Sequence, residues 1–251
     1  MASLTPFLRD LAQRQWDDYR HMTPGTIFAE RDNFLSLDEA YTVQMEVARL
    51  RSATGDMVAG YKVGCIGPGV VEQFGMSGPI HGRLYRSEFR RSGDAIPHDA
   101  FANLAVEGEM AVRLGPNGSI EAAFPVIELH HFLFRGARKT LPELVANNGI
   151  NGGIVLPDEG AARLLEAWPT NGELTLNIND RVIEAGALWP MEGGAVASVD
   201  WLAKDLARHG KTLLPGDIVL TGTPLGLYPV SPGDHVAVAV DGQVLVKCSI
   251  S

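Results

Sequence analysis

Apolar and polar positions alternate on either side of Asp241-Gly242, with "HVAVAV" before and "QVLVKCSI" after. That is the pattern of two antiparallel strands joined by a two-residue primed turn, so a terminal hairpin is expected. Further strand-like pieces occupy residues 57–65, 105–114, 122–130, 173–186 and 217–221. Four other segments read as helices. "TPFLRDLAQRQWDDYR" places Thr5 before Pro6, a favoured cap and first-turn pair. "SLDEAYTVQMEVARLR" has Ser36 and Glu39 at capping-box spacing and lines Leu37, Ala40, Tyr41, Gln44, Val47 and Ala48 along one side. "TLPELVANNG" repeats the device with Thr140 and Glu143, and Gly149 is the expected stop. "SVDWLAKDLARHG" runs as a helix from Ser198 to Gly210. Helices come first and strands with interspersed helices follow, which is an α+β order rather than a regular βαβ alternation.

The 251 residues suit one domain with a small cap, divided as a helical N-terminal segment at 1–55 and a larger unit at 56–251. With 45% hydrophobic and 20% charged residues, the composition is that of a globular protein. A net charge of −9 with scattered Lys and Arg excludes the basic stripe of a nucleic-acid surface. Apolar runs stop well short of the roughly 18–20 residues that span a bilayer, so no membrane partner is expected. The first twenty residues are interrupted by acids and lack the apolar core of a signal peptide. Two cysteines, Cys65 and Cys248, rule out a disulfide framework, and a reducing cytoplasm is the expected setting.

Chemistry enters where acids interrupt apolar strands. In "AVEGEMAVRL" Glu107 and Glu109 project from one face, about 7 Å apart. Glu128 breaks the apolar strand "AAFPVIEL" just before His130 and His131. Burying ionised carboxylates costs several kcal/mol unless a cation or hydrogen bonds offset it, so three converging acids point to a hard divalent ion such as Mg²⁺ or Mn²⁺. The other reading is a solvated face, or pairing with Arg83 and Arg113. Lys62 in "GYKVG" could balance the charge, and an apolar setting would depress its pKa and suit it to proton transfer. His130, His131 and His81 are further acid-base candidates. The loop "TGTPLG" offers Thr221, Thr223 and backbone amides to a carboxylate. Residues 66–80, glycine-rich and aperiodic, read as a mobile lid, Cys65 as a structural thiol, and the four tryptophans as packing residues.

Taken together, "GYKVG", "VEGEMAV", "VIELHHF", "VANNGINGGIVL" and "GDIVLTGTPLGLYPVSPGD" resemble the fumarylacetoacetate hydrolase superfamily in order and spacing. "LSLDEAYTVQMEVARLR" is similar to the branch of 2-keto-4-pentenoate hydratase and 4-oxalocrotonate decarboxylase. The resemblance implies a mixed β-roll flanked by helices, with Glu107, Glu109 and Glu128 as ligands of Mg²⁺ or Mn²⁺, Lys62 as the family's lysine, and Asn148 and Asn151 lining the pocket. It further implies a metal-dependent lyase, hydratase or decarboxylase, acting on a 2-hydroxy-dienoate or 2-oxo-enoate in aromatic catabolism, and an assembly of like chains. The chain also departs from the branch. "LHHFLFR" replaces "V-D-S-R" and puts His131 where the family has Asp, and "ANNGI" replaces "A-D-N-A-S". "PIHG", residues 79–82, stands where hydratases have "P-D-Y-G", and looks more like the decarboxylases. "TGTPLG" is closer to the hydrolases, which keeps an acylpyruvate C–C hydrolase in view. A catalytically silent subunit paired with a hydratase or decarboxylase homologue is the remaining alternative.

Overall fold

A computed structural model describes residues 2–30, 35–66, 72–76 and 78–251. Helices α1 (Pro6–Arg20) and α2 (Leu37–Ala53) come first. Strands β1 (Val58–Gly64), β2 (Ile80–Tyr85), β3 (Phe89–Arg91), β4 (Ala95–Ile96), β5 (Leu104–Leu114) and β6 (Ile120–His131) follow. After α3 (Leu141–Ala146) come β7 (Asn151–Leu156), β8 (Glu173–Ile178) and β9 (Arg181–Ala187), then α4 (Gly194–Arg208). The chain ends with β10 (Ile218–Leu220), β11 (Tyr228–Pro229), β12 (His235–Val240) and β13 (Gln243–Ile250).

The strands form two sheets. The first has the order β2-β1-β10-β5-β6-β7-β3, with β11 added beside β5, and the second has the order β4-β13-β12-β8-β9. The first is mixed, because β1–β10 and β3–β7 run parallel while β5, β6 and β7 are antiparallel neighbours. Alternation along β5 sends Val106, Met110 and Val112 into the core shared with Leu174, Leu176 and Val238 of the second sheet. The opposite face of β5 carries Glu107 and Glu109. On the helical side, Leu8, Ala12, Tyr41, Val43, Val47 and Val145 form a separate apolar cluster that also buries Ile80 of β2.

Local signals account for many of these elements. Thr5 accepts from the Leu8 amide, and Ser36 and Glu39 close a complete capping box on α2. The box at Thr140 is only half formed. Thr140 caps the Glu143 amide, but the Glu143 carboxylate turns to the Arg135 and Gly136 amides. That helix ends at Ala146 rather than Gly149, because Asn148, Gly149 and Ile150 all take positive φ, at 58°, 60° and 57°. The stretch 173–186 is two strands joined at Asn179-Asp180, whose φ values of 53° and 61° suit a primed turn. Helix α4 begins at Gly194, four residues before Ser198, whose hydroxyl donates to the Thr221 carbonyl from within the helix.

Candidate metal centre

In the antiparallel register of β5 and β6, Glu107 stands directly opposite Glu128, and Glu109 and His130 follow on the same face at two-residue spacing. Glu109 and Glu128 are 2% and 1% exposed and His130 is fully buried. Lys62 of β1 crosses to this group, its Nζ donating to Glu128 Oε1 at 2.6 Å and to the Gly149 carbonyl at 3.1 Å. Asn151 Nδ2 donates to the same Glu128 oxygen at 2.8 Å. The Gly222 amide donates to the Glu109 carboxylate. Lys62, Glu107, Glu109, Glu128, His130 and Gly149 line a cavity of about 490 Å³, with Ile66, Phe74, Ile80, Phe132, Phe134 and Leu227 among its apolar walls, while Asn151 stands behind Glu128 and outside that lining.

Backbone conformation sets the lysine's second partner. The left-handed run at 148–150 aims the Gly149 carbonyl at Lys62, and a β-branched residue at positive φ, as at Ile150, is a strained choice kept at a functional wall. A Cβ at Gly149 would lie a tight 3.1 Å from Lys62 Cε, and the φ of 60° there also disfavours a side chain.

The electrostatics divide the acids. Burial first, then Glu128 and Glu107, pushes the Glu109 carboxyl well above the usual carboxylate range. Burial works in the same direction on Glu128, but Lys62 and His130 outweigh it and hold Glu128 below its ordinary value. For Lys62, burial alone would favour the neutral amine. The attraction of Glu128 and Glu107 overrides it and raises the pKa, contrary to the depression expected from an apolar setting.

The residues fit a divalent cation. Ligating atoms of Glu107, Glu128 and His130 all lie within 4.8 Å of one another, and Glu109 borders the same cavity. His130 Nε2 sits 3.4 Å from Glu107 and 3.6 Å from Glu128, yet neither ring nitrogen has a hydrogen-bond partner. A buried imidazole left unpartnered between two carboxylates is what a shared ion would complete. Carboxylate oxygens suit Mg²⁺, Mn²⁺ or Ca²⁺, and the imidazole favours the softer end of that range.

Several expected site residues lie elsewhere. His131 faces away from the acids, as alternation along β6 demands. It packs against Phe101 at 5.3 Å and Tyr19 at 6.1 Å and accepts from the Ala102 amide. His130 takes the place that the family pattern suggested for His131, and parity with Glu128 was the signal for it. His81 is buried on the far face of β2, its Nδ1 2.7 Å from Asp205 Oδ2, so it does not line the cavity. Ile80 faces the cavity instead. Thr221 and Thr223 donate their hydroxyls to the Met110 and Gly108 carbonyls, fastening the loop to β5. Only Thr223 borders the cavity, and the Gly222 amide is engaged by Glu109. Asn148 clamps the Arg83 backbone, accepting from its N–H and donating to its carbonyl. The Arg113 guanidinium meets Glu121 at 3.4 Å and Arg83 donates to Gln44, so neither shares an ion pair with the three acids among the described residues. Cys65 lines the cavity, but burial pushes its thiol up to about 11, away from the thiolate. Residues 67–71 and 77 of the expected lid lie outside the described residues.

Residues 138–250 match the family model for the fumarylacetoacetate (FAA) hydrolase C-terminal domain. The chain is 27% identical over 229 residues to 4-oxalocrotonate decarboxylase of Pseudomonas sp. (strain CF600), covering 86% of this chain and 85% of that protein. It is 28% identical over 217 residues to 2-keto-4-pentenoate hydratase 1 of Dechloromonas aromatica (strain RCB), covering 82% of each. Among solved structures, 4-oxalocrotonate decarboxylase from Pseudomonas putida G7, complexed with magnesium and adipate, superposes with a TM-score of 0.85 at 22% identity over 100% of both chains. The family-model match covers the C-terminal part of the chain, and the similarity to relatives named as 4-oxalocrotonate decarboxylases and 2-keto-4-pentenoate hydratases extends over most of its length.

Proposed function

We propose that the protein is a divalent-metal-dependent lyase acting on a 2-hydroxy-dienoate or 2-oxo-enoate, with loss of CO₂ as its reaction. The observation that carries the class is the convergence of Glu107, Glu109, Glu128, His130 and Lys62 on one cavity. Glu107, Glu128 and His130 would hold the ion, with Glu109 alongside. Bound there, Mg²⁺ or Mn²⁺ would supply a Lewis acid for the 1-carboxylate and 2-oxo oxygens of the substrate.

The chain's own groups then decide the outcome. Lys62 stays an ammonium, held so by Glu128 and Glu107, and stabilises enolate charge at the substrate oxygens rather than acting as a base. Asn151 orients Glu128 so that the carboxylate keeps one oxygen toward Lys62. Ile80 favours decarboxylation over hydration. It stands where the hydratase pattern has Asp, so β2 presents an apolar wall and no proton donor to the distal carbon. Phe74, Phe132 and Phe134 extend that wall, and an apolar surrounding favours a neutral product over a carboxylate. The hydrolase reading loses support because the hydroxyls of "TGTPLG" are bonded to β5.

An assembly of like chains and a cytoplasmic setting accompany this proposal. Among the described residues no helix is long and apolar enough to cross a membrane. The test is to incubate the protein with a 2-hydroxymuconate, a 2-hydroxypenta-2,4-dienoate and an acylpyruvate, each with Mg²⁺ or Mn²⁺. Metal-dependent CO₂ release from the first is expected. Loss of the dienol chromophore without CO₂ would establish the hydratase instead, and acylpyruvate cleavage the hydrolase. No turnover, combined with tight association with a hydratase or decarboxylase homologue, would establish the silent subunit.

A further inference from the structure

The histidine that leaves the cavity has company. On the far face of β2, His81 meets Asp205 and His209 at the C-terminal end of α4, and ligating atoms of the three lie within 4.8 Å of one another. All three are buried, at 0%, 8% and 7% exposure. His81 Nε2 and His209 Nδ1 have no hydrogen-bond partner. Tyr41 of α2 packs its ring on both imidazoles, with centroids 4.6 and 4.7 Å away, and fixes their relative pose. Nothing in the proposed reaction uses this group.

We propose that His81, Asp205 and His209 form a second cation site, selective for a borderline ion such as Zn²⁺, that ties α4 to β2. Two imidazoles and one carboxylate are a recognised zinc donor set, with water left to complete a tetrahedral shell. Both histidines are neutral at physiological pH, as ligation requires. Burial first, together with the nearby Arg83 guanidinium, lowers each, His81 to about 4. Each neutral imidazole offers the ion a lone pair, so binding releases no proton from the rings. Selectivity follows from charge. With one carboxylate, shared at 3.6 Å with the exposed Arg208, and with Arg83 nearby, a hard ion gains little, whereas nitrogen lone pairs suit zinc. The carboxylate-rich cavity has the opposite preference. Position gives the site a consequence as well, because His81 pairs with Val63 and the next residue, Gly82, pairs with Lys62. An ion at His81 therefore braces the strand beside the lysine.

The test uses the whole chain and metals alone. Metal-stripped protein in millimolar Mg²⁺ is titrated with Zn²⁺, following the melting temperature and the bound zinc. One zinc per chain is expected, with a rise of about 3–8 °C. Both should persist in Glu107→Gln, while zinc affinity falls at least tenfold in His209→Gln and in Asp205→Asn. Zinc that disappears in Glu107→Gln but survives His209→Gln would place the ion in the cavity and overturn the proposal. So would the absence of zinc binding in the wild type. Should the variants fail to fold, X-ray absorption on wild-type zinc decides. Two imidazole ligands support the site, and one or none refutes it, since among the described residues the cavity offers only His130.

Discussion

Glu109 shows how three acids are held together in one buried cavity. Its carboxyl is buried and faces Glu107 and Glu128, and burial first, then those two acids, push it toward the neutral form. Replacing it with Gln keeps an acceptor for the Gly222 amide and removes the cost of ionising or protonating a carboxyl beside Glu107 and Glu128. In EDTA, Glu109→Gln should therefore melt no lower than wild type, and about 1 kcal/mol higher is the expected scale. The stabilisation by Mg²⁺ or Mn²⁺ should be lost in the same variant. A large destabilisation in EDTA would mean that the acid serves the fold rather than an ion. His131 makes a pH-dependent counterpart. Burial holds its imidazole down to about 4, and its Nδ1 accepts from the Ala102 amide, which only the neutral ring can do. The unfolded chain takes up this proton near the ordinary value of 6.5 and the native state only near 4. The contribution is thus complete above pH 6.5 and declines as pH falls toward 4, by about 3 kcal/mol. His131→Phe should flatten the decline in stability, measured by denaturant unfolding across that range.

Elements differ in how openly the sequence announces them, and the reason is whether their causes are local. Caps act within four residues, so the starts of α1 and α2 are legible from Thr5, Ser36 and Glu39 alone. The Asp241-Gly242 turn is equally local, with φ of 48° and 79°. The strand β2 is invisible to such reasoning. Every residue of "IHGRLY" is buried, which erases alternation, and its His81 and Arg83 are accommodated only by distant partners on α2 and α4. The same holds for β7, which opens with Asn and two glycines. The three acids were legible because a carboxylate in an apolar strand is anomalous, whereas whether His130 or His131 joins them follows from strand parity once the strand's extent is known. Asn148 illustrates what sequence could not place. It reads as a pocket polar group but acts as a clamp, making two hydrogen bonds to the Arg83 backbone. Asn148→Ala would leave a buried N–H and carbonyl on β2 unpaired, and a loss of about 2–4 kcal/mol is expected. Weaker metal binding should accompany it, because the adjacent Gly149 carbonyl holds Lys62. An unchanged melting temperature would show that the clamp is dispensable.

For the molecule as a whole, the cavity is lined by the first sheet, by the segments that connect its strands and by one residue of the second sheet. The second sheet reaches in through Glu184 of β9, which accepts from the Gly226 amide at 2.6 Å and the Tyr228 hydroxyl at 2.9 Å. The helices are joined to the sheets by buried polar contacts as well as apolar ones. Gln44 donates to the Val145 carbonyl at 2.7 Å and to the His81 carbonyl at 3.3 Å, and Gln15 donates to Asn147. Arg51 of α2 meets Asp56 at 2.6 Å and Glu88 at 2.7 Å while its guanidinium covers the Tyr85 ring at 3.7 Å. A boundary drawn near residue 55 therefore separates sequence patterns, and it cuts through a shared core. Unfolding should be a single event, with helix loss by far-UV circular dichroism coinciding with tryptophan fluorescence, three of whose four reporters, Trp168, Trp189 and Trp201, lie in the sheet-rich part. Arg51→Ala sharpens the test. It leaves the half-buried Glu88 carboxylate without its ion-pair partner, at a cost of about 1–3 kcal/mol. If helices and sheets form one cooperative unit, both probes shift together by the same amount. If the first 55 residues are an independent unit, the helical signal moves alone and the fluorescence transition stays where it was.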